Sequence, residues 1–300
     1  MERRMDLLVD FAFKRLFGQP QSSDLLIDFL NAVLQRPVNR RIVEVQFANT
    51  EFASKDSTDK SIRLDVLVRT DQNEWVDVEV QVAPQKAIVK RTLLYWARMY
   101  DEQVQRGQDY AILKPAIVIQ ILDFVHITST ERFHTSYHVV EDQDGFRLPD
   151  MDILELHFIE MPKFHRLMEN GHTINQALHD PLQKWLLFLL AQRDATFRKE
   201  LEATRVSDST MEKAFNLWEE ISKDPENWAV YVNRDMAIRD LNQIKREGRE
   251  EGKAEGKQEE RVTIASNLLK MGLSLQDVAN ATGLSKEQIE DVQQRLDVTK

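Results

Sequence analysis

The chain contains no cysteine. Disulfides, thiolate zinc sites and cysteine nucleophiles are thereby excluded, and any metal must rest on oxygen or histidine ligands. A long apolar run is also missing. The best candidate, Trp185 to Ala191, falls far short of the ~20 residues that a membrane-spanning helix requires, so no membrane partner is expected. The opening Met1-Glu2-Arg3-Arg4-Met5-Asp6 carries charge with no apolar stretch behind it, so the expectation is a cytoplasmic protein without a secretory leader. A basic excess is missing too: 40 Lys and Arg stand against 50 Asp and Glu, for a net charge of −10. That argues mildly against a nucleic-acid partner, whose backbone is gripped by Lys and Arg, although distribution matters more than the total. A chain that collects a cation must also concentrate carboxylates. No Gly-x-x-x-x-Gly-Lys phosphate loop occurs, which leaves nucleotide hydrolysis without support.

What is present suits a soluble globular protein: 300 residues, 42% apolar and 30% charged, enough for one sizeable core plus an appendage or for two domains. Asp10 to Gly18 and Ser23 to Leu34 read as helices separated by Gly18-Gln19-Pro20, with Ser22 or Ser23 as N-cap. Ile42 to Phe52 alternates as a half-buried strand would. Ile62 to Val68 and Trp75 to Val82 are further β-rich runs, and the polar spacer Arg69 to Glu74 makes them an antiparallel hairpin. Lys86 to Gln105 has helical spacing, with Ile88, Leu93, Leu94, Ala97 and Val104 on one apolar face and Gly107 as its cap. Tyr110 to Val125 holds the most apolar strand, expected to be central and buried on both faces. Phe133 to Val140 and Leu154 to Ile159 are later strands, divided by a turn at Asp142 to Gly145.

This order predicts an α/β core, residues 1–160, whose mixed central sheet is flanked by helices. A helical extension over 161–244 follows, then a charged linker helix over 245–260 and a small helical C-terminal element over 261–300. Gly248, Gly252 and Gly256 line one side of the linker at about 1 kcal/mol each relative to alanine, which reads as a solvated helix or as close helix–helix contact in a homo-oligomer.

The hairpin carries the chemistry. Glu79 and Gln81 project from one side of their strand. With the turn centred near Gln72, residues whose numbers sum to about 144 lie opposite each other, so Asp65 faces Glu79 with Cβ atoms ~5 Å apart. Two carboxylates on one face repel unless a proton or a cation sits between them. Magnesium, or another divalent cation, suits such a pair because it takes a few carboxylates and keeps water or phosphate as its other ligands.

An acidic residue on one strand and Glu-x-Lys or Glu-x-Gln on its partner resembles the signature of the PD-(D/E)XK nucleases. The more specific resemblance is to the Rpn family, bacterial recombination-promoting nucleases and transposase-like proteins. The similarity runs through Asp10 with Phe13 to Gly18, Leu30 to Leu34, Asp65-Val66 and Glu79-Val80-Gln81. It continues through Arg91 with Tyr95, Gly107 to Tyr110, Pro115 to Ile119, and the tail leading to Leu269 to Leu273. The resemblance implies a restriction-endonuclease-like core and metal-dependent cleavage of DNA linked to recombination or mobile elements. It makes Asp65 and Glu79 metal ligands and gives Gln81 the position of the usual lysine. Glutamine is neutral and can only orient water by hydrogen bonding, and Asp65 is preceded by Leu64 rather than proline. The alternative is a catalytically weak DNA- or protein-binding module of the same fold.

Asp10 and Lys14 lie one helical turn apart, either as an ordinary ion pair or as the border of the site, with Lys14 near a phosphate. Arg91 and Tyr95 have the same spacing on the next helix and fit a phosphate-facing or bracing role. Glu44 and Glu51 are weaker candidates for a further ligand. His126, His134, His138, His157 and His165 lack a zinc pattern. Trp185, Trp218 and Trp228 are expected in the core. Ser274 to Ser285 looks like a helix-turn-helix, but Glu287, Glu290 and Asp291 on its second helix favour an interaction or oligomerisation element over sequence-specific DNA reading.

Overall fold

The computed structural model describes residues 3–52, 62–147 and 152–298. The chain divides after Ile238 into two compact units. In the first, α1 (Asp10–Phe17) and α2 (Ser23–Leu34) fall where helices were expected. Gly18 ends α1 with its N–H on the Lys14 carbonyl, and a Cβ there would stand 2.7 Å from that oxygen, so the tight exit requires glycine. Ser22 precedes α2 but does not cap it: its hydroxyl donates to the Gln19 carbonyl instead.

The stretch from Ile42 to Phe52 is not one strand but two, β1 (Val45–Phe47) and β2 (Glu51–Phe52). Asn49 interrupts it, its side-chain oxygen accepting the Glu51 N–H at 3.0 Å in a local turn. β2 pairs with β3 (Ile62–Arg63) in a small separate ladder. β4 (Val66–Thr70) and β5 (Trp75–Gln81) form the expected hairpin, pairing Val66 with Val78 and Val68 with Val76, whose numbers sum to the expected value. The main sheet continues through β6 (Ala116–Leu122), β7 (His134–His138) and β8 (Leu154–Glu160), in the spatial order β1-β4-β5-β6-β8-β7. β5, β6 and β8 run parallel while β1, β4 and β7 pair antiparallel, so the sheet is mixed. β6 is buried along its whole length.

α3 (Ile88–Asp101) is shorter than expected and has Glu102 as its C-cap, while Gly107 belongs to a later turn. Its apolar face is also different. Ile88, Thr92 and Met99 turn inward, whereas Leu93 and Leu94 are exposed. The sheet offers α3 the surface of Leu67, Val118, Leu122, Leu156 and Phe158, and Ile88 and Met99 complete that cluster.

The other sheet face, built from valines and isoleucines of β4, β5 and β6, shares one core with α1, α2 and the helices that follow. These are α4 (Met161–Glu169), α5 (Ile174–His179), α6 (Pro181–Leu190), α7 (Ala195–Thr204) and α8 (Ser209–Lys223). Trp185 and Trp218 are fully buried in it, and each satisfies its indole N–H, on Asp28 and on the Met5 carbonyl respectively. The helical stretch after residue 160 thus completes the core rather than hanging from it. Trp228 is only partly buried and lies under the Arg3 guanidinium. The amino-terminal segment is tied down late in the chain, since the Met5 N–H reaches Ser222 and the Asp6 N–H reaches Tyr231.

α9 (Pro225–Lys270) begins in the first unit and ends in the second. The charged stretch 245–260 is helical within it, and a Cβ added to Gly248, Gly252 or Gly256 would meet nothing within 4 Å among the described residues. In the second unit α10 (Leu275–Thr282) and α11 (Lys286–Val298) close a small core of Ala265, Val278, Leu284 and Ile289. Gly283 joins them at φ 68°, a left-handed turn that favours glycine.

Candidate active site

Alternation along β5 sends Val76, Val78 and Val80 into the large core and turns Asp77, Glu79 and Gln81 toward α3. Asp65 lies one residue before β4, where hairpin pairing ends, and the two carboxylates lock reciprocally. The Asp65 N–H donates to Glu79 Oε1 at 2.8 Å, and the Val80 N–H donates to Asp65 Oδ2 at 3.0 Å. Two cations complete the pair. Lys14, from the last turn of α1, places Nζ 2.8 Å from Asp65 Oδ1. Arg91 of α3 stands 3.6 Å from Glu79 Oε2.

Gln81 is held in a closed ring. Its amide N–H donates to Glu79 Oε2 at 3.1 Å, and its oxygen accepts from Gln85 Nε2 at 3.3 Å. Arg91 donates to Gln85 Oε1 at 2.8 Å and returns the ring to Glu79. Tyr95, one turn beyond Arg91, lies with its ring centroid 5.3 Å from the guanidinium carbon. Burial raises the Tyr95 phenol above its ordinary range, against the lowering effect of Arg91.

The site is electrostatically strained. Glu79 is 2% exposed, and burial, with the Asp65 charge added, pushes its carboxyl up to about 8 despite the Asp65 N–H, Arg91 and Lys14. Asp77, two residues earlier on the same face, is fully buried and held well above the usual carboxylate range by burial first, then by Glu79 and Asp65. Among the described residues neither Asp77 carboxyl oxygen has a hydrogen-bond partner, and neither does the amide of the fully buried Gln120, which pairs with Glu79 across β5 and β6. Burying polar atoms unpaired costs on the order of 1–3 kcal/mol each.

These donors suit a hard divalent cation. They are all oxygen atoms, two carboxylates face each other, and unpaired acceptors lie on the same sheet face. Among the described residues no group of three or more His, Asp or Glu side chains is drawn together to hold a metal, so the protein offers a pair.

Asp65, Glu79, Gln81, Lys14, Arg91 and Tyr95 therefore come together. Asp10 does not: it pairs with Arg234 at 3.6 Å rather than with Lys14. Glu51 is exposed and faces Arg63, and Glu44 is exposed. His134 and His157 meet each other at 2.9 Å on the opposite sheet face, and Glu155 accepts from His157 at 2.8 Å. Asp77, Gln85 and Gln120 were not expected. The same period of two that singled out Glu79 and Gln81 could have found Asp77, whereas Gln120 needs the β5–β6 register and Gln85 lies on a connection without periodicity.

No curated protein and no solved structure matches the chain. Two family models do. Residues 258–294 match the C-terminal helix-turn-helix domain of the Rpn/YhgA-like nuclease family, which gives the tail the helix-turn-helix architecture that Gly283 punctuates. Residues 7–248 match the PD-(D/E)XK nuclease family transposase, spanning the sheet, the facing carboxylates and the helices that complete the core. The chain belongs to the PD-(D/E)XK nuclease family transposases.

Proposed function

We propose that this protein is a magnesium-dependent DNA endonuclease acting in recombination or on mobile elements. The observation that carries the reading is the reciprocal Asp65–Glu79 lock at the end of the hairpin, flanked by one lysine and one arginine. Asp65 and Glu79 are the residues that would hold Mg2+ or another divalent cation. Such a cation supplies a water of lowered pKa and stabilises charge developing on a phosphodiester.

The chain's own groups have separable tasks. Gln81 orients water, and its ring with Gln85 and Arg91 fixes which way the amide faces. Glutamine cannot supply positive charge. Lys14 can, because its ammonium reaches the same carboxylate from α1 and stays 29% exposed, open to a phosphate oxygen. Arg91 steadies Glu79 and offers a planar donor fork to the same substrate.

A second reading, a catalytically weak module that binds DNA, draws on the helix-turn-helix match over residues 258–294. Homo-oligomerisation through the C-terminal helical region is part of the proposal and draws on the apolar side chains of Ile264, Met271 and Leu273 exposed there. The test is nicking of supercoiled plasmid with and without magnesium by the wild type, Asp65→Ala and Glu79→Ala. Cleavage lost in both variants supports the assignment, and equal nicking by all three proteins sinks it. If nothing is cut while the full chain shifts DNA and a chain ending at residue 257 does not, the binding-module reading stands.

A further inference from the structure

The connection from β6 to β7 is pinned by two buried charged side chains. Glu160 and Lys163, both almost wholly buried, form an ion pair beside it. Glu160 Oε1 accepts the N–H groups of His126 and Ile127, while Lys163 Nζ donates to the carbonyls of Ile127 and Thr130. A loop held at both its donors and its acceptors keeps one shape.

Beside this loop, at the edge strand β7, lies a cavity of about 420 Å³. Ser129, Thr130, Arg132, His134, Thr135 and Ser136 line it, and no carboxylate among the described residues does, in a chain with 50 acidic residues. Thr135 is buried and its hydroxyl has no hydrogen-bond partner among the described residues. Arg132 is exposed and pairs with no carboxylate among the described residues. Hydroxyl donors and one guanidinium without a counterion match an oxyanion.

Position suggests which one. Thr135 pairs with Phe158, Phe158 with Gln120, and Gln120 with Glu79, so Thr135 and Glu79 share one row and one face of the sheet. Three strand spacings separate them, about 14 Å. Duplex DNA rises ~3.4 Å per nucleotide along a strand, so the two points stand about four steps apart along the helix axis.

We propose that this cavity is a second, non-catalytic phosphate site, in which Arg132 and the hydroxyls of Ser129, Thr130 and Thr135 hold a backbone phosphodiester flanking the bond that the carboxylates address. It rests on the endonuclease reading. The site supplies register along the duplex rather than chemistry, because phosphate contacts position a protein without specifying bases.

The test uses the full chain in EDTA, with binding of a labelled DNA duplex followed by fluorescence anisotropy over a series of potassium chloride concentrations. Arg132→Gln is expected to weaken binding severalfold and to reduce the slope of log affinity against log salt by about 0.9, the value for one lost phosphate contact. Thr135→Val is expected to weaken binding with the slope unchanged. Inorganic phosphate, added at constant ionic strength, should compete with the duplex on wild type and lose that effect on Arg132→Gln. Wild-type affinity and slope in both variants overturn the proposal. So does phosphate that occupies the wild-type cavity while duplex binding ignores Arg132→Gln. Magnesium-dependent nicking is scored separately: its absence from wild type defeats the endonuclease reading, whereas its presence beside unaltered binding by Arg132→Gln defeats only the phosphate site.

Discussion

Lys14 and Gln85 are where single side chains decide the most. Lys14 makes a part-buried ion pair with Asp65, and on the proposed function it offers positive charge to the reacting phosphate. Lys14→Ala should lower kcat for plasmid nicking about 100-fold, the loss typical when one charge-stabilising donor is removed, with partial rescue by Lys14→Arg. Gln85 acts through Gln81 and Arg91, so it is a positioning residue. Gln85→Ala should reduce kcat by roughly tenfold with KM unchanged, because a small misplacement of a reacting group is enough for such a loss. A variant that instead raises KM alone would place Gln85 in substrate binding. Away from the site, burial and then the His157 charge hold His134 down at about 4. Burial pushes Glu155 up, but the hydrogen bond and charge of His157, with Arg36, outweigh it and bring the carboxyl to about 2. Both groups bind protons less readily folded than unfolded, so their contribution is complete above about pH 6.5. It is lost as pH falls, first through the His134 window and then below about pH 4.5 through that of Glu155. His134→Gln should flatten the fall of Tm between neutral pH and pH 4; an unchanged slope would remove His134 from the account.

At the scale of elements, the glycines of α9 make the clearest prediction. Gly248, Gly252 and Gly256 have open space where a Cβ would stand and lie within a helix. Replacing all three with alanine should add about 1 kcal/mol of helix stability per site, seen as stronger far-ultraviolet helical signal with sedimentation unchanged. If the glycines serve close contact between copies, the same variant would sediment as a smaller species. Elements also show what the sequence can express. The β4–β5 hairpin was legible because alternation and a polar turn act over a dozen residues, and that register alone placed Asp65 against Glu79. The side of α3 was not, since Leu93 and Leu94 are as apolar as Ile88 and Met99 and only the sheet beneath chooses between them. Asn49 splitting one expected strand into β1 and β2 depends on a single side-chain hydrogen bond. Asp77 and Gln120 show a further limit: an unpaired buried polar atom exists only once neighbouring strands have come together.

At the scale of the whole molecule, the division after Ile238 and the continuous core of the first unit belong together. That core takes in Phe13, Phe29, Trp185, Phe215, Trp218 and Tyr231, so the first unit closes only with residues far downstream of the sheet. A chain ending near residue 200 should therefore be insoluble or unfolded by circular dichroism, whereas one ending at residue 244 should melt cooperatively. A cooperative transition in the shorter chain would mean that α8 is dispensable to the core.

The ties of Met5 to Ser222 and Trp218, and of Asp6 to Tyr231, set a timetable for synthesis. The peptide that leads into α1 is made first, yet its anchors leave the ribosome more than two hundred residues later. Until then the helix bearing Lys14 can pack on β5, α2 and Trp185, but the segment leading into it lacks its anchors. On the proposed function, a chain released before Ser222 carries Lys14 and the carboxylates without the Ser222 and Tyr231 anchors that seat the segment before α1, and it should nick plasmid less than the full chain.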